Sequence, residues 1–448
     1  MSLAAAPSTK IRLATASPVT QSTRQETLAQ LERLARSAAE RGADFLLLPE
    51  AYFGGYPRGS DFGSKIGGRS EEGREEFLKY FRNAVDLGDI VGPAGAGGLE
   101  KWVRRELGSD EGLDSDHADE ALGSGLLRGR GDGTREELER VARETGVFIV
   151  VGLVERAGGS LYCAVVYVCP RRGVIGKRRK VMPTGSERLI WAQGSPATLK
   201  AVSTTIRGTR VNLAAAICWE NYMPLLRYSL YSQNINLYFA PTADGRDSWL
   251  SLMRTIGIEG RCFVVSSNMC TRGGAEEASQ QQKQNSSIAS AGPPAAHGVG
   301  SGPKARRRSI FDPDGNEIVL SSLVDSSAHR TASAPATAPL SSAVFEEDED
   351  KSGGRESEGT SNGTATATET GTAVTGFISR GGSSIVSPYG EVLAGPQWDD
   401  DESIIYADVD LEDCVRGRLD LDAAGSYSRN DSFKLSVEGL ALDPLPYY

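Results

Sequence analysis

Histidine, the usual general base, is scarce: three residues in a chain of 448, and His117, His297 and His329 all stand in low-complexity or Gly-rich acidic stretches. Their placement argues against a Ser-His-Asp or Cys-His mechanism. Cysteine is sparse too. The six, Cys163, Cys169, Cys218, Cys262, Cys270 and Cys414, form no CxxC or other metal-ligand spacing, which argues against a disulfide framework and a zinc site. No segment approaches the run of about 20 apolar residues needed to span a bilayer, and the opening MSLAAAPSTK has no continuous apolar stretch of a secretory leader. A soluble, reducing compartment, the cytoplasm, is expected, with no membrane partner. A basic excess is also missing. The formal net charge is −10, which argues against nucleic acid as a partner. Hydrophobic residues make up 39%, a little low, and the deficit is concentrated in one Ser/Ala/Thr/Gly-rich stretch.

What is present is an alternation of strands and helices. Residues 11–15 read as a strand, 25–42 carry Leu28, Leu31, Leu34 and Ala35 at helical spacing, and 43–49 (ADFLLLP) form an apolar strand ending at Glu50. A second helix is expected over 70–83. Thr134 and Glu137 suggest a capping box, with a helix from there to Glu144 and a stop at Gly146. Strands follow at 147–154, 161–169 and 174–180, then at 211–217, running into Cys218, and helix 223–232 has Pro224 in its first turn. Strands 237–240 and 263–267 flank helix 248–260. This is an α/β layered pattern.

Two segments interrupt it, a Gly-rich acidic one at about 89–133 with a short helical patch near Trp102, and a longer one at about 273–375. The latter's composition predicts disorder. Within it, SIFDPDGNEIV (309–319) echoes SIVSPYGEVL (384–393), each a strand, a Pro-x-Gly turn and a strand. The second is expected to be the core hairpin because strand 404–411 follows it closely. Outside the insertions, residues 10–435 are expected to form a single domain.

With histidine set aside, chemistry falls to Glu, Lys and Cys. Cys218 stands where a buried strand meets a helix, an elbow that lifts a nucleophile out of a sheet; the bland alternative, a core thiol, suits Cys163, Cys169 and Cys262 better. Glu50 ends an apolar strand, so desolvation would raise its carboxyl toward the range of a general base, or else it caps the following loop. Lys180 closes GKRRK, and a basic run is ordinarily a solvated strand or turn.

Taken together, LLLPEAYFGGYPRGSDFG around Glu50, GKRRKVMPTGSERLIWAQG around Lys180 and AAAICWENYMPLLRYSLY around Cys218 resemble, in that order, the three signature segments of nitrilases within the carbon-nitrogen hydrolases, nearest to those of fungi. The likeness continues through APTADGRDSWLSLMRTIGIEGR and resumes at 380–393 and 415–433. It implies a four-layer αββα sandwich, Cys218 as nucleophile, Glu50 as base, Lys180 beside the tetrahedral intermediate and Glu187 as a second carboxylate. It further implies Tyr56, Trp191 and Trp219 near the entrance, although each could equally be packing, and the Trp219 amide as an oxyanion donor. No cofactor or metal is implied. The partners implied are a small nitrile and further copies of the chain, in dimer-based, sometimes spiral homo-oligomers. Amidase or carbamoylase action, cyanide hydration and, from another class, a non-catalytic scaffold are the rival readings. The chain departs from the family near its end: Gly425-Ser426-Tyr427 and Arg429-Asn430-Asp431 replace Gly-His-Tyr and Arg-Pro-Asp, which puts local packing or a subunit contact in doubt.

Overall fold

Apolar β-branched runs in this chain need cover on both faces, and the fold supplies it by stacking two sheets between helices. A computed structural model describes residues 9–58, 60–65, 68–88, 131–273, 308–311, 317–320 and 377–447. Most of the segment at about 89–133, the patch near Trp102, all three histidines and most of 273–375 therefore lie outside the described residues.

In chain order the elements are β1 (Lys10–Ala16), α1 (Arg24–Glu40), β2 (Phe45–Leu47), β3 (Ser64–Lys65), β4 (Gly68–Arg69), α2 (Glu71–Asn83), α3 (Thr134–Thr145), β5 (Phe148–Ala157), β6 (Ser160–Cys169), β7 (Gly173–Arg179), β8 (Val202–Ile206), β9 (Thr209–Ala215), α4 (Pro224–Tyr231), β10 (Leu237–Thr242), α5 (Ser248–Gly260), β11 (Phe263–Asn268), β12 (Cys270–Arg272), β13 (Arg308–Phe311), β14 (Glu317–Leu320), β15 (Phe377–Val386), β16 (Val392–Trp398), β17 (Ile404–Asp410) and a short α6 (Asp413–Arg416). Sequence reading missed β8, whose VSTTI is too polar to register as a buried strand.

The first sheet has the order β17-β1-β2-β5-β6-β7 and the second β12-β15-β11-β10-β9-β8, with β16 on β15. Strand alternation then assigns the faces. Leu13, Phe45, Leu47, Phe148, Val150 and Val165 meet Val211, Leu213, Leu237, Phe239 and Val265 between the sheets. The opposite face of the first sheet, with Ala14, Leu46 and Ile149, takes Leu31 and Ala35 of α1 and Leu138 and Val141 of α3. The second sheet's outer face takes Leu230 of α4 and Trp249, Met253 and Ile256 of α5. The result is the expected αββα sandwich.

Helix termini carry local chemistry. Thr23 and Glu26 form a capping box on α1, and Gly146 ends α3 at φ 72°. The capping box expected at Thr134 is absent: the N-cap of α3 is Gly133 at φ 88°, and Asp132 Oδ1 accepts the Thr134 amide at 3.0 Å. Thr134 is itself the first helical residue, so its hydroxyl cannot cap.

The described residues divide into two compact units, one spanning residues 293–374 and the other the rest of the chain. In the smaller, β13 and β14 pair antiparallel, Ser309 opposite Val319, the hairpin read from SIFDPDGNEIV. In the larger, β15 and β16 form the second hairpin, while β17 crosses to the first sheet and pairs antiparallel with β1, Leu13 opposite Ala407. Around the insertion, β12 pairs with β15 so that Arg272 lies opposite Phe377. The chain thus leaves and re-enters at neighbouring points. Deleting residues 280–370 is therefore expected to leave a soluble protein of unchanged melting temperature within about 4 °C, roughly 1 kcal/mol for a domain of this size; insoluble protein on deletion would refute this.

Candidate active site

Glu50 follows β2 where the chain turns sharply, with Ala51 at φ 50°. The turn presses on β5: a Cβ on Gly152 would stand 2.3 Å from the Pro49 carbonyl oxygen and 2.7 Å from Glu50 Cα, so only glycine admits it. Glu50 is completely buried. Burial pushes its carboxyl up to about 7, with Lys180 opposing and Glu187 reinforcing the shift.

The GKRRK run overturns its surface reading. Lys177, Arg178, Arg179 and Lys180 are all buried, because β7 packs every one against an acid. Strand alternation sends Lys177 and Arg179 the same way, onto the buried Glu155 of β5 at 2.6 and 2.7 Å. Burial works against that carboxylate, but the two cations hold it at about 2. Arg178 and Lys180 take the other side. Arg178 grips Glu220 in a fork, 2.6 and 2.8 Å, and Lys180 Nζ bridges Glu50 Oε1 at 2.8 Å and Glu187 Oε2 at 2.8 Å. Burial would lower the Lys180 ammonium, yet the two carboxylates raise it well above its ordinary value. Glu187 sits in a 3-10 turn, Gly185–Leu189, fixed by the Thr184 amide at 2.7 Å and the Tyr56 hydroxyl at 3.0 Å.

Cys218 stands three residues past β9, and the elbow differs from the simple strand-to-helix form. A 3-10 turn, Cys218–Tyr222, intervenes before α4 starts at Pro224. Cys218 has φ 53°, a left-handed conformation that costs a non-glycine residue about 1–3 kcal/mol and clusters at functional sites. Side chains hold it there. Asn221 Nδ2 donates to the carbonyls of Cys218 and Ala216 at 2.7 and 2.9 Å, and Tyr238 donates to Asn221 Oδ1 at 2.8 Å. Glu220 completes the bracket, accepting from the amides of Ile217 (2.8 Å) and Val181 (2.6 Å). One carboxylate therefore ties the cysteine turn to the lysine strand.

The thiol is 3% exposed and accepts from Thr242 Oγ1 at 3.2 Å. Burial, then the charge of Glu50, push it well above its ordinary value, against Lys180. At rest it is a thiol that needs a base. A Glu50 oxygen, a Glu187 oxygen and the Cys218 sulfur all lie within 4.8 Å of one another, so four groups from four segments converge, with the lysine ammonium bridging the acids.

Of the aromatic candidates, Tyr56 and Trp191 join this cluster. Their rings meet edge-on with centroids 5.7 Å apart, and Lys180 Nζ lies 5.7 Å from the Trp191 ring centroid. Trp191 is buried and donates to Tyr80 at 3.2 Å, which is anchoring. The Trp219 ring packs instead under Arg246, 4.5 Å from its centroid, and against Tyr222. Sequence reading missed Arg178, Glu220, Asn221 and Thr242. The signal available was Glu155 and Glu220, acids set in apolar surroundings that demand cationic partners.

Three kinds of similarity bear on this arrangement. A family model described as carbon-nitrogen hydrolase matches residues 10–292 and 364–418. An arylacetonitrilase of Trametes versicolor is 34% identical, the alignment covering 92% of this chain and 91% of that protein. A bifunctional nitrilase/nitrile hydratase of Nicotiana tabacum is 30% identical over 94% of this chain and 84% of its own. A carbon-nitrogen hydrolase from Helicobacter pylori shares the fold, with TM-score 0.50 at 13% identity, covering 94% of this chain and 98% of that one.

Proposed function

The chain belongs to the carbon-nitrogen hydrolase family, and from that premise we propose that it is a nitrilase in which Cys218 attacks the nitrile carbon, Glu50 is the general base, Lys180 stabilises developing charge and Glu187 orients Lys180. The observation that carries this is the single ammonium of Lys180 shared between two buried carboxylates beside a buried thiol. The names of the relatives, arylacetonitrilase among them, support the nitrile.

A nitrile carbon is a weak electrophile, so attack needs the thiolate and a place for the charge that develops on nitrogen. Glu50 takes the Sγ proton, the S–C bond forms, and Glu50 hands that proton to the nitrile nitrogen, giving a neutral thioimidate and an ionised Glu50. Water then adds to the carbon as Glu50 accepts its proton and passes it to the nitrogen, which readies ammonia to leave. Expulsion of ammonia leaves a thioester, and a second water releases the carboxylic acid and restores the thiol. Should the tetrahedral species expel Sγ first, the product is an amide. The Trp219 amide, next in the chain to the nucleophile, is the proposed oxyanion donor. The tyrosine and tryptophan of the Tyr56–Trp191 pair bound the substrate's organic group, whereas the Trp219 ring, stacked on Arg246, frames the entrance.

Ammonia release from phenylacetonitrile, with phenylacetamide as the competing substrate, tests the reading. Rapid turnover of the nitrile and slow turnover of the amide are expected. Preference for the amide would make the protein an amidase, and formamide from cyanide with aromatic nitriles untouched would make it a cyanide hydratase.

The pH profile follows from Glu50. Its carboxyl must be ionised to accept a proton, and it ionises at about 7. Below that value kcat/KM is expected to fall about tenfold per pH unit, and to level off above it, because Lys180 stays charged. A profile flat from pH 5 to 8 would remove Glu50 as the base.

No helix among the described residues is long and apolar enough to cross a membrane; a cytoplasmic location is proposed on the six free cysteines. A dimer-based homo-oligomer is proposed likewise. Exposed Leu225 on α4 and exposed Leu419 and Phe433 near the C-terminus are apolar groups that such an assembly could cover.

A further inference from the structure

Cys163 lies on β6 in the core between the sheets, as sequence reading placed it, but its thiol is not inert packing. Sγ donates to Glu50 Oε1 at 3.4 Å, the same oxygen that receives Lys180 Nζ at 2.8 Å. The other oxygen, Oε2, is buried and has no hydrogen-bond partner among the described residues. A buried carboxylate oxygen without a partner is costly and calls for a reason. The backbone aligns the three groups: the Lys180 amide donates to the Cys163 carbonyl at 2.7 Å, so cysteine and lysine reach Glu50 from one rung of the sheet.

We infer that Cys163 is a positioning residue for the base: its thiol and Lys180 together occupy Oε1 and hold the carboxylate so that Oε2 alone is free to take the proton of Cys218 or of water. The inference rests on the role given to Glu50 above. Burial, and the neighbouring Glu50 charge, push the Cys163 thiol well above its ordinary value, so it stays a donor across the working range. A donor to the ionised form favours that form, and a thiol is a weak one.

The test compares Cys163→Ala with Cys163→Ser in the full-length protein. Two readouts are taken against pH: kcat/KM for phenylacetonitrile, and the rate at which iodoacetamide alkylates Cys218, followed by mass spectrometry of its peptide. The alanine variant is expected to move the acid midpoint of both upward by roughly half a unit to one unit and so to lower kcat/KM at pH 6.5 by about three- to eightfold. Serine, which restores a donor, is expected to return both midpoints to within about 0.2 unit of wild type. Midpoints unmoved in the alanine variant, or alanine and serine equally impaired with wild-type midpoints, would overturn the inference. The alkylation readout needs no substrate. If wild type fails to hydrolyse the nitrile while the alkylation midpoints shift as stated, the nitrilase reading fails and the role of Cys163 stands.

Discussion

Cys218→Ala is expected to lower turnover at least ~10⁴-fold, while Cys262→Ala retains most of it. The two residues are both buried free thiols, so the comparison separates chemistry from packing. Cys262 sits among the side chains under α4 and α5, remote in role from the acids. Its loss removes one sulfur from a core, a cost to stability of about 1–2 kcal/mol rather than to rate. Cys218 forms the covalent bond on which every later step depends. Thr242, its hydrogen-bond partner, cannot substitute, being a far weaker nucleophile without a base of its own. Initial rates of ammonia release, with the circular-dichroism spectrum as a control for folding, decide the matter; equal rates for wild type and the Cys218 variant would sink the mechanism.

Arg178→Met is expected to destabilise the protein by about 3–5 kcal/mol, because it strands the buried Glu220 carboxylate without its cation. The arginine and the glutamate are 2% and 0% exposed, so neither charge can be solvated in place. Burial raises the Glu220 carboxyl, but Arg178 wins and holds it below the ordinary carboxylate range. Without the guanidinium, the Ile217 and Val181 amides are left to support the charge. Three to five kcal/mol is a large part of a typical total of about 5–15 kcal/mol. Arg178→Lys keeps the charge and loses the fork, and should fall between. Denaturant titration measures the loss, and a methionine variant within about 1 kcal/mol of wild type would show that the pair bears no weight. Activity should fall with stability, since Glu220 spans the segments that carry the nucleophile and the lysine.

Cys218 was legible as a candidate because an apolar strand runs up to it, as one does to Glu50, whose alternative as a loop cap was set aside only when the three segments were taken together. α1, α5 and β6 follow their periodicity closely. Long-range pairing was not legible. β17 reads as the sequel to the β15–β16 hairpin but joins β1, since its partner Leu13 is decided by which sheet has an open edge, a property of the whole fold. The basic strand misled for the same reason. Four successive cations imply solvent unless an acid waits opposite each, and Glu155, Glu220, Glu50 and Glu187 reach them only in three dimensions. Cys163 was read correctly as core and incompletely as chemistry, because a contact with Glu50 leaves no trace in either residue's neighbours along the chain.

The antiparallel meeting of Arg272 and Phe377 has a consequence for how this gene could change. Two chain ends already side by side form a socket: the entropy of closing a loop between them grows only with the logarithm of its length, about 0.6 kcal/mol per doubling. Lengthening or shortening the sequence there is expected to leave the strand register and the cluster of Glu50, Lys180, Glu187 and Cys218 as they are. The same socket offers a place to graft a foreign peptide or a small folded module while leaving the sandwich and its thiol undisturbed.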